Sequence, residues 1–338
     1  MTSRERVKKA IHFLGPDRIP HYLPDGGEND ILWAAPWTIL NGPLVPDIQP
    51  WTQTGLIEKR IDAWGVVWER PAGHEDMGQA KEYPIADVEK QHLYMFPRLN
   101  DPERYAGYRS AIDANGSSNN PKYVLGVAGF SSLNEGVHNI IGLQTMFQSY
   151  YEHADALKVL IARFAEEQRE SIRLMARLGC DGVMFYDDWG LQDRLMVRPK
   201  LIEEFFMPHY RVNWAVAHEL DLDVWLHSCG YIIGLLPQFM DAGLNVVQMD
   251  QQMNMGLENL AHVAGSRLAF WCPADIQNVM PNANRDEIYA YIQRMMETLG
   301  SRNGGLVSMA YTSPEAIDLD PVKVGIMCQA FRELGKYE

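Results

Sequence analysis

The 338-residue sequence predicts an α/β fold: a TIM-type (β/α)8 barrel, one domain over residues 1–338, with an irregular N-terminal region to about residue 120 and regular βα units over 121–338. Three observations predict it. From about residue 120 onward, short apolar runs alternate with segments of helical period. The runs are apolar throughout rather than at every second position, so their strands are buried on both faces and, with helices between them, run parallel. Finally, no G-x-G-x-x-G follows a strand. That removes the open dinucleotide-binding sheet and leaves the closed barrel.

The elements follow in order. RIPHYLP (Arg18–Pro24) reads as the first barrel strand. DAWGVVWERP (Asp62–Pro71) reads as a hairpin strand among long loops, and DANGSSNNPK (Asp113–Lys122) as an exposed connection rich in turn residues. KYVLGVAGF (Lys122–Phe130) opens the regular half. A helix follows with Leu157, Leu160, Ile161, Phe164, Ile172 and Met175 on one face and Gly179 at its end. DGVMFYDDW (Asp181–Trp189) is the next strand, then a helix read from Val212, Ala215, Val216 and Leu220. The strands DVWLHSCG (Asp223–Gly230), NVVQMDQ (Asn245–Gln251) and RLAFWCPADIQ (Arg267–Gln277) follow. A helix with Ile288, Ile292, Met295 and Leu299 leads to the strand GGLVSMAYTSP (Gly304–Pro314). Val324, Met327, Cys328 and Phe331 mark the closing helix.

Composition bounds the function. With 46% hydrophobic and 22% charged residues, the chain can bury a large core. A formal net charge of −14 argues against nucleic acid or an anionic membrane as partner, since both would repel the average surface. The opening MTSRERVKKAIHFLG lacks the apolar core of a secretion signal. The run Ile31–Val45 is broken by Pro36, Asn41 and Pro43, which makes a membrane span unexpected. A cytoplasmic protein is expected, and a homodimer is among the assemblies the sequence allows. Cys180, Cys229, Cys272 and Cys328 are far apart and read as free thiols, with Cys180 and Cys328 structural.

In a barrel, chemistry gathers at the carboxyl ends of the strands. Five successive runs turn polar there: Asp187 and Asp188; His227 and Cys229; Gln248, Asp250 and Gln251; Cys272, Asp275 and Gln277; and Tyr311. His227 and Cys229 are two apart in an extended chain, so both side chains point to one side. Imidazole and thiolate are usual zinc donors. The alternative is a packed thiol beside a lone acid/base histidine. Only one of Asp187 and Asp188 should enter the mouth, as a metal ligand, an acid/base or a substrate anchor, and the spacing does not say which. Cys272 could add a second thiolate or be a packed thiol.

The order YDDWGLQDRLMVRPKLIEEFFMPHY, DVWLHSCG, DAGLNVVQMDQ and FWCPADIQ resembles the uroporphyrinogen decarboxylase superfamily, in the branch that looks like corrinoid-dependent methyltransferases. TSRERVKKAIHFLGPDRIP and IDAWGVVWER are similar to that branch too, so the likeness covers nearly the whole chain. It implies a TIM-type barrel. The decarboxylases themselves carry an arginine-rich segment near the first strand, where this chain has YLPDGGEND. A substrate rich in carboxylates would meet Asp25, Glu28 and Asp30 instead, which disfavours porphyrinogen. In the zinc-dependent methyltransferases the H-x-C pair is joined by a later cysteine, where this chain has Ala310 and Tyr311.

The resemblance thus implies a methyltransferase acting between a small methylated compound and a corrinoid. The compound would be of methoxyl, methylamine or betaine type. The chain shows no corrinoid-binding D-x-H-x-x-G, so the corrinoid would come on a partner protein. Expected catalytic residues are His227, Asp188 and Tyr311. Expected substrate contacts are Asp187, Gln248, Asp250, Gln277 and Trp189, and His227, Cys229 and Cys272 are the expected zinc ligands. The alternatives are a decarboxylase of a small organic acid and a non-catalytic ligand-binding barrel.

Overall fold

The computed structural model describes residues 1–23, 29–34, 50–74, 78–127, 129–311 and 314–337. The chain begins with α1 (Ser3–Ile11), β1 (His21–Tyr22) and β2 (Ile31–Ala34). A four-stranded antiparallel sheet follows: β3 (Thr52–Thr54), β4 (Ile57–Ile61), β5 (Val67–Pro71) and β6 (Gln79–Glu82), and then α2 (Ala106–Gly116). Next come β7 (Tyr123–Gly126), α3 (Asn134–Ile141), α4 (Leu143–Glu152), α5 (Ala154–Leu178) and β8 (Gly182–Tyr186). The remaining elements are α6 (Pro199–Phe205), α7 (Met207–Glu219), β9 (Asp223–His227), α8 (Leu236–Ala242), β10 (Val246–Gln248), α9 (Leu257–Ala264), β11 (Ala269–Cys272), α10 (Arg285–Thr298), β12 (Leu306–Met309) and α11 (Pro321–Leu334).

Among the described residues, eight strands form one parallel sheet in the order β1, β12, β11, β10, β9, β8, β7, β2. It curls into a nearly closed barrel, and the Asp30 N–H donates to the His21 carbonyl across the remaining seam at 2.8 Å. The fold class expected from the sequence is therefore the fold observed.

Register assigns each side chain to one of two layers. Tyr186 pairs with His227, His227 with Gln248, Gln248 with Trp271, and Trp271 with Val307. Partners in register share a face, as do residues two apart on one strand. Tyr123, Met184, Trp225, Val246, Ala269, Trp271, Val307 and Met309 fill the barrel interior, and Val7 and Ile11 of α1 join them from the amino-terminal end. The alternate residues Val183, Phe185, Val224, Leu226, Val247, Phe270 and Cys272 pack outward against the helices.

The N-terminal half differs in two places from the sequence reading. The hairpin strand Val67–Pro71 is one of four, and Asp113–Gly116 end α2, so the connection begins only at Ser117. In α5 the expected stripe is buried and Gly179 caps it at φ 90°, the left-handed conformation glycine adopts freely. In α7 the buried face is Met207, Tyr210, Asn213, Trp214 and Ala217, whereas Val212 and Leu220 are 51% and 39% exposed. The aromatic pair Tyr210 and Trp214, four residues apart, decides that face by burying more area than the aliphatic residues could. Asp25, Glu28 and residues 35–45 lie outside the described residues. No helix among the described residues is long and apolar enough to cross a membrane.

Candidate functional site

Two loops hold the center of the site. After β8 and β9 the chain zips together: Cys229 N–H donates to Asp188 Oδ1 at 2.7 Å, Trp189 N–H to Ser228 Oγ at 3.1 Å, Gly190 N–H to the Cys229 carbonyl at 3.2 Å, and Tyr231 N–H to the Leu191 carbonyl at 2.8 Å. Gly190 and Gly230 meet at the crossing. A Cβ on Gly190 would lie 2.3 Å from Tyr231 N and 2.4 Å from Gly230 C, so only glycine permits this approach.

Asp188, His227 and Cys229 come together there. Their ligand atoms all lie within 4.8 Å of one another. His227 Nε2 is 3.3 Å from Cys229 Sγ and 3.4 Å from Asp188 Oδ1. Zinc bonds of about 2.0–2.3 Å at tetrahedral angles separate two ligands by about 3.3–3.8 Å, and both separations from His227 Nε2 match an edge of such a tetrahedron. A thiol, an imidazole and a carboxylate are a donor set for zinc with a fourth position left to substrate. Burial raises the Cys229 thiol pKa well above its ordinary value, and the Asp188 and Asp250 carboxylates push the same way.

A hydrogen-bonded chain runs from His227 to Tyr311. His227 Nδ1 bonds Gln248 Oε1; Gln248 Nε2 donates to Asp250 Oδ1 at 2.8 Å; and the Tyr311 hydroxyl donates to Asp250 Oδ2 at 2.5 Å. Burial raises both Asp250 and Tyr311 above their usual ranges. Gln251 Oε1 accepts the Gly230 N–H at 3.0 Å.

Four expected residues lie elsewhere. Asp187 is 0% exposed and faces the outer layer. It accepts N–H bonds from Leu133 and Glu135 at the start of α3 and the Tyr210 hydroxyl at 2.5 Å, so it anchors that helix. Burial pushes its pKa up to about 7, against the pull of those bonds. Trp189 is 0% exposed and packs edge-on against Phe206. Cys272, also 0% exposed, lies one residue past the inward Trp271 and so points outward, away from the ligand cluster, with burial raising its pKa to about 12. Gln277 is exposed and bonded to Gln192.

Three neighbors were missed in the sequence. Glu135 and His138 sit three apart on α3, and the only sequence signal was that spacing, E-x-x-H, just after a strand. The Glu135 pKa is pushed up to about 8 by burial and then by Asp188 and Asp187, while the Asp188 N–H favors its charged form. Burial takes His138 down to about 4, opposed by Asp188, and its Nδ1 has no hydrogen-bond partner among the described residues. Tyr186, its ring 5.7 Å from that of His227, was also missed.

Barrel and site together define an α/β-barrel protein with a polar cluster at the carboxyl ends of its strands. The family described as Uroporphyrinogen decarboxylase (URO-D) matches residues 134–334, and the chain belongs to that family. Among solved structures it is similar to a methyltransferase from Methanosarcina mazei, at 15% identity and a TM-score of 0.65, over 98% of this chain and 99% of that one. At that identity the likeness is one of fold. A xylose isomerase domain protein from Planctomyces limnophilus is similar at 14% identity and a TM-score of 0.43, over 76% and 94% of the two chains. A D-psicose 3-epimerase matches at 12% and 0.41, over 70% and 86%. No curated protein sequence matches the chain.

Proposed function

We propose that the chain is a methyltransferase moving a methyl group between a small methylated compound and a corrinoid carried on a partner protein. One observation carries this reading: Asp188, His227 and Cys229 aim one ligand atom each at a common point at the strand ends. A second supports it over porphyrinogen decarboxylation, because the mouth presents carboxylates rather than the cations that would hold an acid-rich substrate.

Asp188, His227 and Cys229 would hold zinc. Bound there, it would act as a Lewis acid toward a methyl-bearing atom that keeps a lone pair, such as a methoxyl oxygen. A corrinoid on the partner would accept the methyl group in its reduced form, or would donate it in the opposite direction in its methylated form. The remaining steps belong to this chain's own side chains. Gln248 accepts the Nδ1 proton of His227 and so turns the Nε2 lone pair toward the site. Asp250 and Tyr311 form a fixed acceptor and donor pair beside it, which orients the substrate. As the methyl group leaves, its bonding pair stays on the heteroatom.

The test mixes purified chain, a reduced corrinoid carrier and candidate methyl compounds, and follows methylated corrinoid by its absorbance. The reading expects methylation that is lost in His227→Ala and Cys229→Ala with the fold retained. Carbon dioxide release from a small organic acid without corrinoid would replace it with the decarboxylase reading. Biological activity that survives both substitutions would point to a ligand-binding barrel.

A further inference from the structure

The two ends of the barrel treat their carboxylates differently. At the amino-terminal end each is paired: Asp17 with Arg6, Asp30 with Arg6 and Arg18, Asp181 with Arg4 and Lys8, and Asp223 with His12. At the mouth, the charges acting on Glu135, Cys229 and Asp250 are other carboxylates and His227. Among the described residues, the basic group that meets a carboxylate inside the cluster is His227, 3.4 Å from Asp188, and Arg194 on the loop after β8 pairs with its neighbor Asp193. A zinc ion held by Asp188 and Cys229 would offset two negative charges and leave Asp250; a quaternary nitrogen has no lone pair for the metal, so its own positive charge is what makes the departing amine a leaving group.

An aromatic wall continues from this cluster: Tyr311 bonds Asp250, and Trp271, the register partner of Gln248, which also bonds Asp250, packs against Tyr22 and Trp33. Tyr22, Trp33, Tyr186 and Tyr311 are partly exposed at the edge of the interior cluster. The rings of Tyr22 and Trp33 lie 5.9 Å apart, Tyr22 and Trp271 5.5 Å, and Trp33 and Trp271 5.3 Å. Trp271 is 1% exposed, and its indole N–H has no hydrogen-bond partner among the described residues. Ring faces attract cations through their quadrupole, and more strongly where water is excluded. A neutral aryl ether could stack on the rings but would bring no positive charge to the buried Asp250 carboxylate, and an anion would be repelled.

We infer that the ligand of this mouth carries its methyl groups on a positively charged nitrogen, held between the faces of Tyr22, Trp33 and Tyr311 and the carboxylate of Asp250. As the substrate class of the reaction this rests on the methyl-transfer reading, but its test is binding alone. Calorimetry on the purified chain would compare choline, its neutral carbon isostere 3,3-dimethyl-1-butanol and the anion 3-methoxybenzoate. Choline is expected to bind at least about tenfold more tightly than the isostere. Trp33→Leu should bring the two within about twofold, and Trp33→Tyr, which restores a ring face, should recover most of the preference. Equal affinities, or a preference for 3-methoxybenzoate, would overturn the inference. Choline binding without methyl transfer to corrinoid would remove the methyl-transfer reading and leave this one standing. Corrinoid-dependent demethylation of 3-methoxybenzoate with no choline preference would do the reverse.

Discussion

His227 Nε2 lies 3.3 Å from Cys229 Sγ while the opposite ring nitrogen bonds Gln248 Oε1. Gln248 spends its amide N–H on Asp250, so its oxygen faces the ring, and His227 carries its proton on Nδ1. Gln248→Leu should therefore weaken zinc binding about 10–100-fold with the three ligands intact. Competition with a chromogenic chelator measures this, and unchanged affinity would separate Gln248 from the site.

Cys229 is the one partly exposed cysteine; Cys180, Cys272 and Cys328 are buried. In metal-free protein, iodoacetamide should modify Cys229 first, slowly at neutral pH and faster as pH rises, because its pKa is raised. Added zinc should protect it. Peptide mass spectrometry reads the order of labelling. Zinc content should be about one per chain, lost in Cys229→Ala and kept in Cys272→Ala.

Gly190→Ala would force a Cβ against the Gly230 backbone. It is expected to cost about 1–3 kcal/mol of stability and to weaken zinc binding by spreading Asp188 from Cys229. Denaturant unfolding and chelator competition test the two effects. An unaltered protein would mean that the loops do not hold the ligands.

The charge cluster of Arg6, Arg18, Asp17 and Asp30 makes stability acid-sensitive. Ion pairing and hydrogen bonds hold both carboxyls below their usual values; for Asp17 the main cause is the Arg6 hydrogen bond, and for Asp30 burial pushes upward most strongly but the Arg18 hydrogen bond and charge, the His21 N–H and Ser3 together outweigh it. The unfolded chain then takes up protons first, so this stability is present above about pH 4 and is lost as pH falls through the depressed folded values. Asp30→Asn should cost about 3–5 kcal/mol at neutral pH, since it leaves two arginines short of a partner, and should flatten the acid limb of the melting curve. A parallel limb would refute this.

The sequence by itself determined the barrel, because strands apolar on both faces with helices between them have few other ways to hide. It also determined that His227 and Cys229 converge, since two-residue spacing in an extended chain fixes a common side. That rule, carried through the register, separates inward Trp271 from outward Cys272 and inward Asp188 from outward Asp187. The register itself exists only once the strands pair. Tertiary structure alone decided the rest. Glu135 reaches the site because Asp187 anchors the start of α3, and Asp188 meets Cys229 because two glycines let their loops cross. Both are contacts between segments about 40–50 residues apart, beyond what local periodicity encodes.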